Sequence, residues 1–122
     1  MNLIKLPRMD SQKVSKEIGD FVIHSVLEVS ATGCVVGLSG GVDSSTTAAL
    51  INRAFARYNQ KKDNHLELVG YILPTHINKK ADIHDAETLV KELGIRHEIH
   101  SIEKLVGAFK ITNPEAFAEN YH

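Results

Sequence analysis

The chain has 122 residues, of which 43% are hydrophobic and 24% are charged, a composition typical of a single globular domain. Its formal net charge of −1, from 14 basic and 15 acidic residues, argues against a broad electrostatic attraction to nucleic acid or to an anionic membrane. The single cysteine, Cys34, excludes an intramolecular disulfide, and no apolar run is long enough to span a bilayer. We therefore expect residues 1–122 to form one cytoplasmic domain that binds neither nucleic acid nor membrane.

The first predicted element is an amphipathic helix between Asp10 and Ser30. Apolar residues recur there at steps of three and four, Asp10 or Ser11 is a suitable N-cap, and Gly33 suits the exit from the helix. We expect Met9, Phe21 and the apolar stripe of this helix to pack on the sheet of their own chain, with a contact between two subunits as the alternative.

A strand, a turn and a second helix follow. The run CVVGLS, Cys34–Ser39, is short, apolar and bounded by glycines, which is typical of a strand buried on both faces. Cys34 is expected to be a small buried hydrophobe rather than a reactive thiol. Helical spacing then extends from Ser44 to Tyr58, and the polar segment Asn59–Asn64 predicts a surface loop.

The rest of the chain repeats the alternation of strand and helix. It predicts a strand, a helix, a short strand and two final helical turns at Leu66–Leu73, Ala81–Leu93, His97–Ser101, Ile102–Phe109 and Pro114–Tyr121. Gly94 marks the end of the helix that precedes it. Strands that alternate with helices of this length indicate an α/β protein with a parallel sheet, flanking helices and right-handed crossovers, which is a Rossmann-like architecture.

The stretch GLSGGVDSS, Gly37–Ser45, lies where the first strand ends and the second helix begins. Ligands of open parallel sheets bind beyond the carboxyl ends of the strands. Gly40 and Gly41 lack a Cβ, so the backbone can take positive φ there and bring N–H groups close to a bulky anion. Together with the three serine hydroxyls, these amides offer charge-assisted hydrogen bonds of roughly 1.5–3 kcal/mol each, against about 0.3–1 kcal/mol for an exposed helix dipole. The stretch therefore predicts a polyphosphate site.

Asp43 adds a carboxylate to this predicted anion site. A carboxylate beside phosphates repels the ligand unless a cation lies between them, so Asp43 predicts Mg²⁺, which commonly takes one or two carboxylates together with phosphate oxygens. The alternative is that Asp43 is an N-terminal cap of the following helix, and the two roles are compatible. The Walker A lysine and the GxGxxG fingerprint are absent, which argues against a kinase-like or dinucleotide-fingerprint site.

These residues carry a family resemblance. SGGVDS, Ser39–Ser44, resembles the pyrophosphate loop of the N-type ATP pyrophosphatases, and GLSGGVDSS followed by YILP and HDAETLVKELGI resembles ammonia-dependent NAD synthetase. The resemblance extends from the first helix to about Phe109 and implies an adenine nucleotide alpha hydrolase-like fold, of which this chain would be the amino-terminal part. It implies ATP-driven adenylation of nicotinic acid adenine dinucleotide, attack by ammonia, and release of NAD, AMP and pyrophosphate.

The resemblance also implies the site residues. ATP would be bound by Gly37, Leu38, Ser39, Gly40, Gly41, Val42, Asp43, Ser44 and Ser45. Asp43 would help to hold Mg²⁺, and Leu73, with Ile72 and Pro74, would border the adenosine. No catalytic residue is assigned.

Two expectations about assembly follow from the resemblance. It implies a strand order of 3-2-1-4-5, so the first strand would have a free edge until a fourth strand or another subunit covers it. Full-length members of the family are homodimers, so we expect self-association.

The remaining polar residues have simpler interpretations. His76, His84, His97 and His100 are expected to be solvated, because no Cys/His spacing resembles a zinc site. Lys79 and Lys80 are expected to be surface charges, with a phosphate contact as the alternative.

Two other function classes stay open. One is a different pyrophosphate-loop enzyme, tRNA-thiolating or GMP-forming, although the near-neutral charge and the lack of zinc-type cysteines argue against a tRNA substrate. The other is an ATP-binding module without catalysis. With no glutaminase segment in the sequence, ammonia is the expected nitrogen donor.

Overall fold

The computed structural model describes the backbone of residues 7–118 and the side chains of residues 7–116. Its strands form a parallel sheet of order β1-β2-β3, and each strand is preceded or followed by a helix. The elements are α1 (Ser11–Glu28), β1 (Gly33–Gly37), α2 (Val42–Lys61), β2 (Glu67–Ile72), α3 (Lys80–Leu93), β3 (Arg96–Ile99), α4 (Glu103–Thr112) and α5 (Pro114–Ala118). The predicted parallel α/β architecture is confirmed.

Helices α2 and α3 cover one face of this sheet. Both connect neighbouring parallel strands in the same direction along the sheet, and right-handed crossovers of that kind place their helices on the same side. α2 packs against both β1 and β2 and lies between α1 and α3. The buried core beneath the helices includes residues of α1, α2, β2 and α3 and of the segments beside the strands, namely Val26, Leu38, Ala48, Ile51, Phe55, Leu66, Leu68, Ile72, Ala86 and Val90.

The opposite face of the sheet is open at β1. Cys34 and Val36 pack against the core, whereas Val35 between them points to the other side and is 67% exposed. The prediction that β1 is buried on both faces is therefore wrong, because no described element covers the second face at this edge strand. Cys34, expected to be a small buried hydrophobe, is half-buried, and burial raises the pKa of its thiol.

Helix α1 packs on α2 rather than directly on the sheet. Asp10 is its N-cap, with a carboxylate oxygen that accepts from the Lys13 amide at 3.3 Å. The helix ends at Glu28, so Gly33 is not its exit but the first residue of β1. Met9 and Phe21 are 66% and 70% exposed, so the expectation that they pack on the sheet is wrong: α2 stands between α1 and the strands.

Helix α2 extends beyond its predicted bounds at both ends. It begins at Val42 instead of Ser44 and continues to Lys61, so half of the predicted Asn59–Asn64 loop is helical. The Asn59 side chain explains the longer end, since it accepts from the Leu66 amide at 2.8 Å and donates to the Leu66 carbonyl at 2.9 Å. A helical Asn59 thus connects the end of α2 to the start of β2.

The remaining elements differ from prediction by a few residues. The three strands are shorter than predicted: β1 ends at Gly37, opposite Tyr71, and β3 ends at Ile99, opposite Ile72 at the end of β2. Gly94 ends α3 in the left-handed conformation, as predicted. Of the predicted helical segment Pro114–Tyr121, the part at Pro114–Ala118 is helical, and the positions beyond it lie outside the described residues.

Candidate functional site

The connection between β1 and α2, residues 38–41, crosses the carboxyl edge of the sheet and is called the first loop here. Leu38 is buried and donates its amide to the Tyr71 carbonyl at 2.8 Å, so the loop leaves from the end of the ladder. Gly40 has φ +85°, and a Cβ at this position would lie 2.3 Å from the Asp82 carbonyl oxygen. Gly41 has φ −85°, so one of the two glycines predicted to take positive φ does so. Gly40 is therefore needed both for its conformation and for the close approach of α3.

Serine hydroxyls hold the first loop in shape. Ser44 Oγ accepts from the Ser39 amide at 3.3 Å, and the two hydroxyls are 3.2 Å apart. Ser39 Oγ also accepts from the Gly41 amide at 3.2 Å, and Ser45 Oγ donates to the Gly41 carbonyl at 2.7 Å. These bonds organise hydroxyls and amides around one concave turn at the start of a 20-residue helix. Because the Ser39 and Gly41 amides and the Ser45 hydroxyl donate within the turn, the other amides of the turn are the donors left for an anion.

Asp43 lies in the first turn of α2 and is exposed. The N-cap is Gly41, which makes no side-chain capping bond, so the alternative in which Asp43 caps the helix is wrong. Within residues 7–116 the Asp43 carboxylate has no hydrogen-bond or ion-pair partner, and its backbone carbonyl accepts from Thr47 Oγ1 at 2.9 Å. A free carboxylate beside an anion-binding turn is suited to hold a divalent cation together with phosphate oxygens.

A cavity of about 270 Å³ adjoins the first loop at the carboxyl edge of β1 and β2. It is lined by Gly37, Leu38, Ser39, Ser44, Tyr71, Ile72, Leu73, Pro74, Asn78, Asp82 and Ile83. Apolar side chains form much of the lining, and hydroxyl, amide and carboxylate groups lie at its rim. This is the composition of a pocket for a flat apolar ring that carries polar substituents.

The connection between β2 and α3, residues 73–79, forms another wall of the cavity and is called the second loop. Asn78 Oδ1 accepts from the Thr75 amide at 2.6 Å and from the Thr75 hydroxyl at 3.0 Å, and the Asn78 amide donates back to the Thr75 carbonyl at 3.2 Å. The bond from the Asn78 amide to the Thr75 carbonyl closes a tight turn, and the Asn78 side chain reinforces it by bonding back to Thr75. The amide nitrogen of the Asn78 side chain is left as a donor for a ligand.

A contact with α4 fixes the second loop from outside. The Glu103 carboxylate accepts from the His76 amide at 2.7 Å and contacts the His76 ring nitrogen Nδ1. The Ile102 amide donates to the Pro74 carbonyl at 3.2 Å. The backbone hydrogen bond from His76 holds the pKa of Glu103 below its ordinary value, and the His76 side chain adds to this effect.

Tyr71 connects the cavity with the open face of the sheet. Its hydroxyl donates to Glu98, which raises the pKa of Tyr71 and lowers that of Glu98. His100 Nε2 lies 3.4 Å from Glu98 Oε2, and the rings of Tyr71 and His100 stack with centroids 6.0 Å apart. His76 and His100 are exposed, as expected, and each also contacts a carboxylate.

The structure brings half of the predicted ATP residues to the cavity wall. Those that line it are Gly37, Leu38, Ser39, Ser44 and Leu73. The others, Gly40, Gly41, Val42, Asp43 and Ser45, belong to the first loop or to the first turn of α2, next to that wall. Ile72 and Pro74 also line the cavity, as the family resemblance implied.

Sequence reasoning missed four residues of the lining, namely Tyr71, Asn78, Asp82 and Ile83. Loops after parallel strands lie on the ligand side of the sheet, and for this reason the sequence indicated the second loop. The residues it indicated there were Lys79 and Lys80. Both lysines are exposed and neither lines the cavity, so they are surface charges in this structure. The NKKAD spacing could have identified Asp82, since the first turn of α3 faces the same edge.

The family of the chain follows from comparison with known proteins. Residues 14–120 match the family model described as NAD synthase. The chain belongs to the NAD synthase family. This is the family that the pyrophosphate loop indicated, rather than a tRNA-thiolating or GMP-forming one.

Individual NAD synthetases agree with this assignment. The NH(3)-dependent NAD(+) synthetase of Campylobacter jejuni is 36% identical over 101 residues, which cover 83% of this chain and 37% of that protein. The protein of the same name from Hyperthermus butylicus is 33% identical over 116 residues, which cover 95% of this chain and 40% of that protein. The chain therefore spans about two fifths of the length of the curated relatives that it matches.

Solved structures show the same fold. The NH3-dependent NAD synthetase of Campylobacter jejuni superposes with a TM-score of 0.70 at 33% identity, covering 86% of this chain and 42% of that one. NMN synthetase from Francisella tularensis superposes with a TM-score of 0.74 at 28% identity, covering 88% and 41%. The solved structures that resemble this chain thus include one named as an NAD synthetase and one named as an NMN synthetase.

Membrane spans and clusters of metal-ligating side chains are both absent from the described residues. None of the helices is long and apolar enough to cross a membrane. No group of three or more His, Cys, Asp or Glu side chains within the described part of the chain is arranged to hold a metal ion. A cation at Asp43 would therefore take its other ligands from phosphate oxygens, water or residues outside this set.

Proposed function

We propose that this chain supplies the ATP-binding part of an enzyme that amidates nicotinic acid adenine dinucleotide to NAD. In this reaction ATP adenylates the substrate carboxylate, ammonia attacks the adenylate, and AMP and pyrophosphate are released. The observation that carries the proposal is the turn from β1 into α2, where Gly40 has φ +85° and the hydroxyls of Ser39, Ser44 and Ser45 form hydrogen bonds within the turn, beside a largely apolar cavity. Membership of the NAD synthase family supports it.

Different residues of the site would contact the phosphates, the adenine ring and the ribose of ATP. The amides and hydroxyls of the first loop would bind the phosphates, since hydrogen bonds to charged groups contribute roughly 1.5–3 kcal/mol each. Leu38, Ile72 and Ile83 would contact the adenine ring from the floor of the cavity. Asn78 and Asp82, at its rim, are placed to bond the ribose hydroxyls, for which a carboxylate is a suitable acceptor.

Asp43 is the proposed Mg²⁺ ligand, because its carboxylate is exposed and unpartnered next to the first loop. When bound, Mg²⁺ supplies charge stabilisation for the departing pyrophosphate. The Asp43 carboxylate would place a negative charge next to the phosphates. The two groups repel each other unless the cation lies between them. Asp43 is therefore expected to make ATP binding dependent on divalent cations.

A second wall of the site is proposed to come from chain that this sequence does not include. β1 is the edge strand of the described sheet, and Val35 on its open face is 67% exposed. Further strand pairing along this edge would extend the sheet in the order 3-2-1-4-5, and an element packed on the open face would cover the exposed valine. The substrate dinucleotide would bind mainly in that missing part, since the described cavity suffices for a nucleoside only.

Self-association through α1 is a further part of the proposal. Ile18 and Phe21 lie one helical turn apart on α1 and are 40% and 70% exposed, which leaves an apolar patch beside the packed face. We expect a homodimer that buries this patch, and we expect the enzyme to be cytoplasmic. Sedimentation of the Phe21→Ser variant should show a weaker dimer than the parent, whereas an unchanged dimer would assign the contact elsewhere.

The decisive experiment measures pyrophosphate release from ATP with Mg²⁺, ammonia and nicotinic acid adenine dinucleotide. We expect Asp43→Asn to lose the substrate-dependent release and the effect of Mg²⁺ on ATP binding. Asp85→Asn, which removes the same charge from the exposed side of α3, is the matched control and should leave both intact. Release that is unaffected in Asp43→Asn would refute the assigned metal ligand.

ATP binding and pyrophosphate release must be measured separately, because the chain spans only about two fifths of the length of its relatives. Calorimetric ATP binding without pyrophosphate release would mean that the described residues form a binding half only. Absence of ATP binding would refute the proposal for this chain. The likeness to NMN synthetase makes amidation of the corresponding mononucleotide the second candidate, and the same assay with the mononucleotide acid in place of the dinucleotide distinguishes the two.

A further inference from the structure

A groove between α1 and α2 contains a second polar cavity, of about 240 Å³. It is lined by Gln12, Ser15, Lys16, Leu50, Arg53 and Arg57. Three of these six side chains are cationic and none is a carboxylate. Since the whole chain has a net charge of −1, this concentration of positive charge is a local feature and not a consequence of composition.

None of the three cations forms an ion pair with an acidic side chain among residues 7–116. Arg53 and Arg57 are one turn apart on α2, and Lys16 faces them from α1. Like charges held together in this way repel one another, and the repulsion is relieved when an anion binds between them. The groove is therefore poised for an anionic ligand.

Arg57 gives the most specific sign of a ligand. Its Nε is buried and has no hydrogen-bond partner. Buried N–H groups are nearly always bonded, and a bound water or ion is one explanation of an unsatisfied one in a native structure. Arg57 also lines the cavity, so a ligand there is within reach of the same guanidinium group.

The packing of α1 on α2 fixes this arginine. A Cβ at Gly19 would lie 2.8 Å from the Ala54 Cβ and 3.0 Å from Arg57 Nη2, so the absence of a side chain at Gly19 lets the guanidinium lie directly against α1. Gly19 itself is buried. The site is thus built from two packed helices and does not depend on a loop.

The positive surface continues along the groove. An adjacent cavity of about 250 Å³ shares Lys16 and Arg57 and adds Lys61 and Tyr58, with Asp20 as its one acidic group. The carboxylate of Asp20 forms no ion pair with any of these cations in the described structure. The cation-only part of the groove is therefore the stretch around Arg53.

We infer that this groove is a binding site for a phosphate group, separate from the ATP site at the first loop. Guanidinium groups match the geometry of phosphate oxygens with paired N–H donors, and Lys16 adds a third positive charge. Gln12 and Ser15 contribute neutral donors on the α1 side. The inference is independent of the proposed function, because no residue of the groove lines the ATP cavity.

Residue-resolved NMR titration of the full chain with inorganic phosphate tests the site. Saturable shifts are expected at the amides of residues 12–16 and 50–57, with a dissociation constant distinct from that of any shifts at Gly40 and Gly41. Sodium chloride at matched ionic strength serves as the reference. Equal shifts with chloride would mean general screening and would overturn the inference.

Variants then identify the side chains involved. Replacing both exposed cations, Lys16→Gln with Arg53→Gln, should weaken phosphate binding in the groove at least about tenfold while leaving the shifts at Gly40 and Gly41 unchanged. The control pair Lys91→Gln and Lys104→Gln removes the same charge from other exposed positions and should have no effect on the groove. Equal affinities in the two double variants, or no saturable shift at residues 12–16 and 50–57 in the parent, would refute the site.

Discussion

The first and second loops lie at the same edge of the sheet and line the same cavity, but they are stabilised differently. The side-chain bonds of the first loop are local, since they join Ser39 and Gly41 to each other and to Ser44 and Ser45 within seven positions. The second loop also depends on a distant partner, because Glu103 binds His76 across 27 positions. A loop of the first kind can be recognised from a short motif, whereas a loop of the second kind emerges only when the chain is folded.

The largest effect is expected from Gly40→Ala, which changes the first loop at its point of contact with α3. The new Cβ would lie 2.3 Å from the Asp82 carbonyl, in a backbone conformation with φ +85°. Strain and overlap together should cost at least about 2 kcal/mol of folding free energy and abolish ATP binding. Chemical denaturation and calorimetry measure the two quantities.

Gly107→Ala is the control for Gly40→Ala. Gly107 lies inside α4, and a Cβ there meets no atom within 4 Å, so alanine should be neutral or stabilise the helix by about 0.5–1 kcal/mol. If the two variants had equal stability, the close contact between the first loop and α3 would be refuted.

Ser44→Ala tests the internal bonding of the first loop. It removes the acceptor of the Ser39 amide and one hydroxyl of the cavity wall, so we expect a stability loss of about 1 kcal/mol and ATP affinity about tenfold weaker. Thr47→Ala removes a hydroxyl that bonds only to its own helix, through the Asp43 carbonyl, and should leave ATP affinity unchanged. Similar affinities for both variants would argue against a role of Ser44 in phosphate binding.

The difference between the loops also explains what the sequence could predict. Local signals were sufficient for the alternation of strands and helices, for the N-cap at Asp10 and for the turn around Gly40, because each depends on neighbours in the chain. The extension of α2 to Lys61 was missed because it depends on Asn59 binding the backbone of Leu66. A polar run predicts a loop only when no such tertiary partner exists.

The lining of the cavity could likewise be predicted only where it depends on a local motif. Its β1 side was predicted from one motif, but Asp82 and Ile83 enter it from α3, and their position follows from the strand order and from the contact of α3 with Gly40. The exposure of Val35 was missed for a related reason. An apolar strand is buried on both faces only if elements exist to cover both, and the strand sequence does not contain that information.

Asn78→Ala tests the local turn of the second loop. It removes the acceptor of both Thr75 bonds, and because the turn is exposed we expect a stability loss below about 1 kcal/mol. ATP affinity should fall severalfold through the looser wall of the cavity. Asn64→Ala, in the exposed segment before β2, is the control and should change neither quantity. Unchanged ATP binding in Asn78→Ala would show that this turn does not shape the site.

The smallest effect is expected from Glu103→Gln, on how the stability of the fold depends on pH. This variant isolates the tertiary contact between Glu103 and the second loop. The pKa of this carboxyl is lowered in the folded chain, first by the His76 amide, relative to an ordinary value of about 4.3. A lowered folded pKa means that the contact stabilises the fold fully above the unfolded pKa and loses its effect as pH falls through the folded pKa. The unfolding midpoint of the parent should therefore exceed that of Glu103→Gln near neutral pH, and the difference should shrink below about pH 4.

The same comparison separates the contact with His76 from the general effect of charge. Glu92→Gln removes one negative charge from the exposed surface of α3, where the carboxylate has no hydrogen bond within residues 7–116, and should show no difference of this shape. Glu103 is itself partly exposed, so the change is expected to be modest and reduced by salt. A difference between parent and Glu103→Gln that is constant from pH 3 to 7 would mean that the glutamine only alters packing, and that the second loop is not held by an ionised carboxylate.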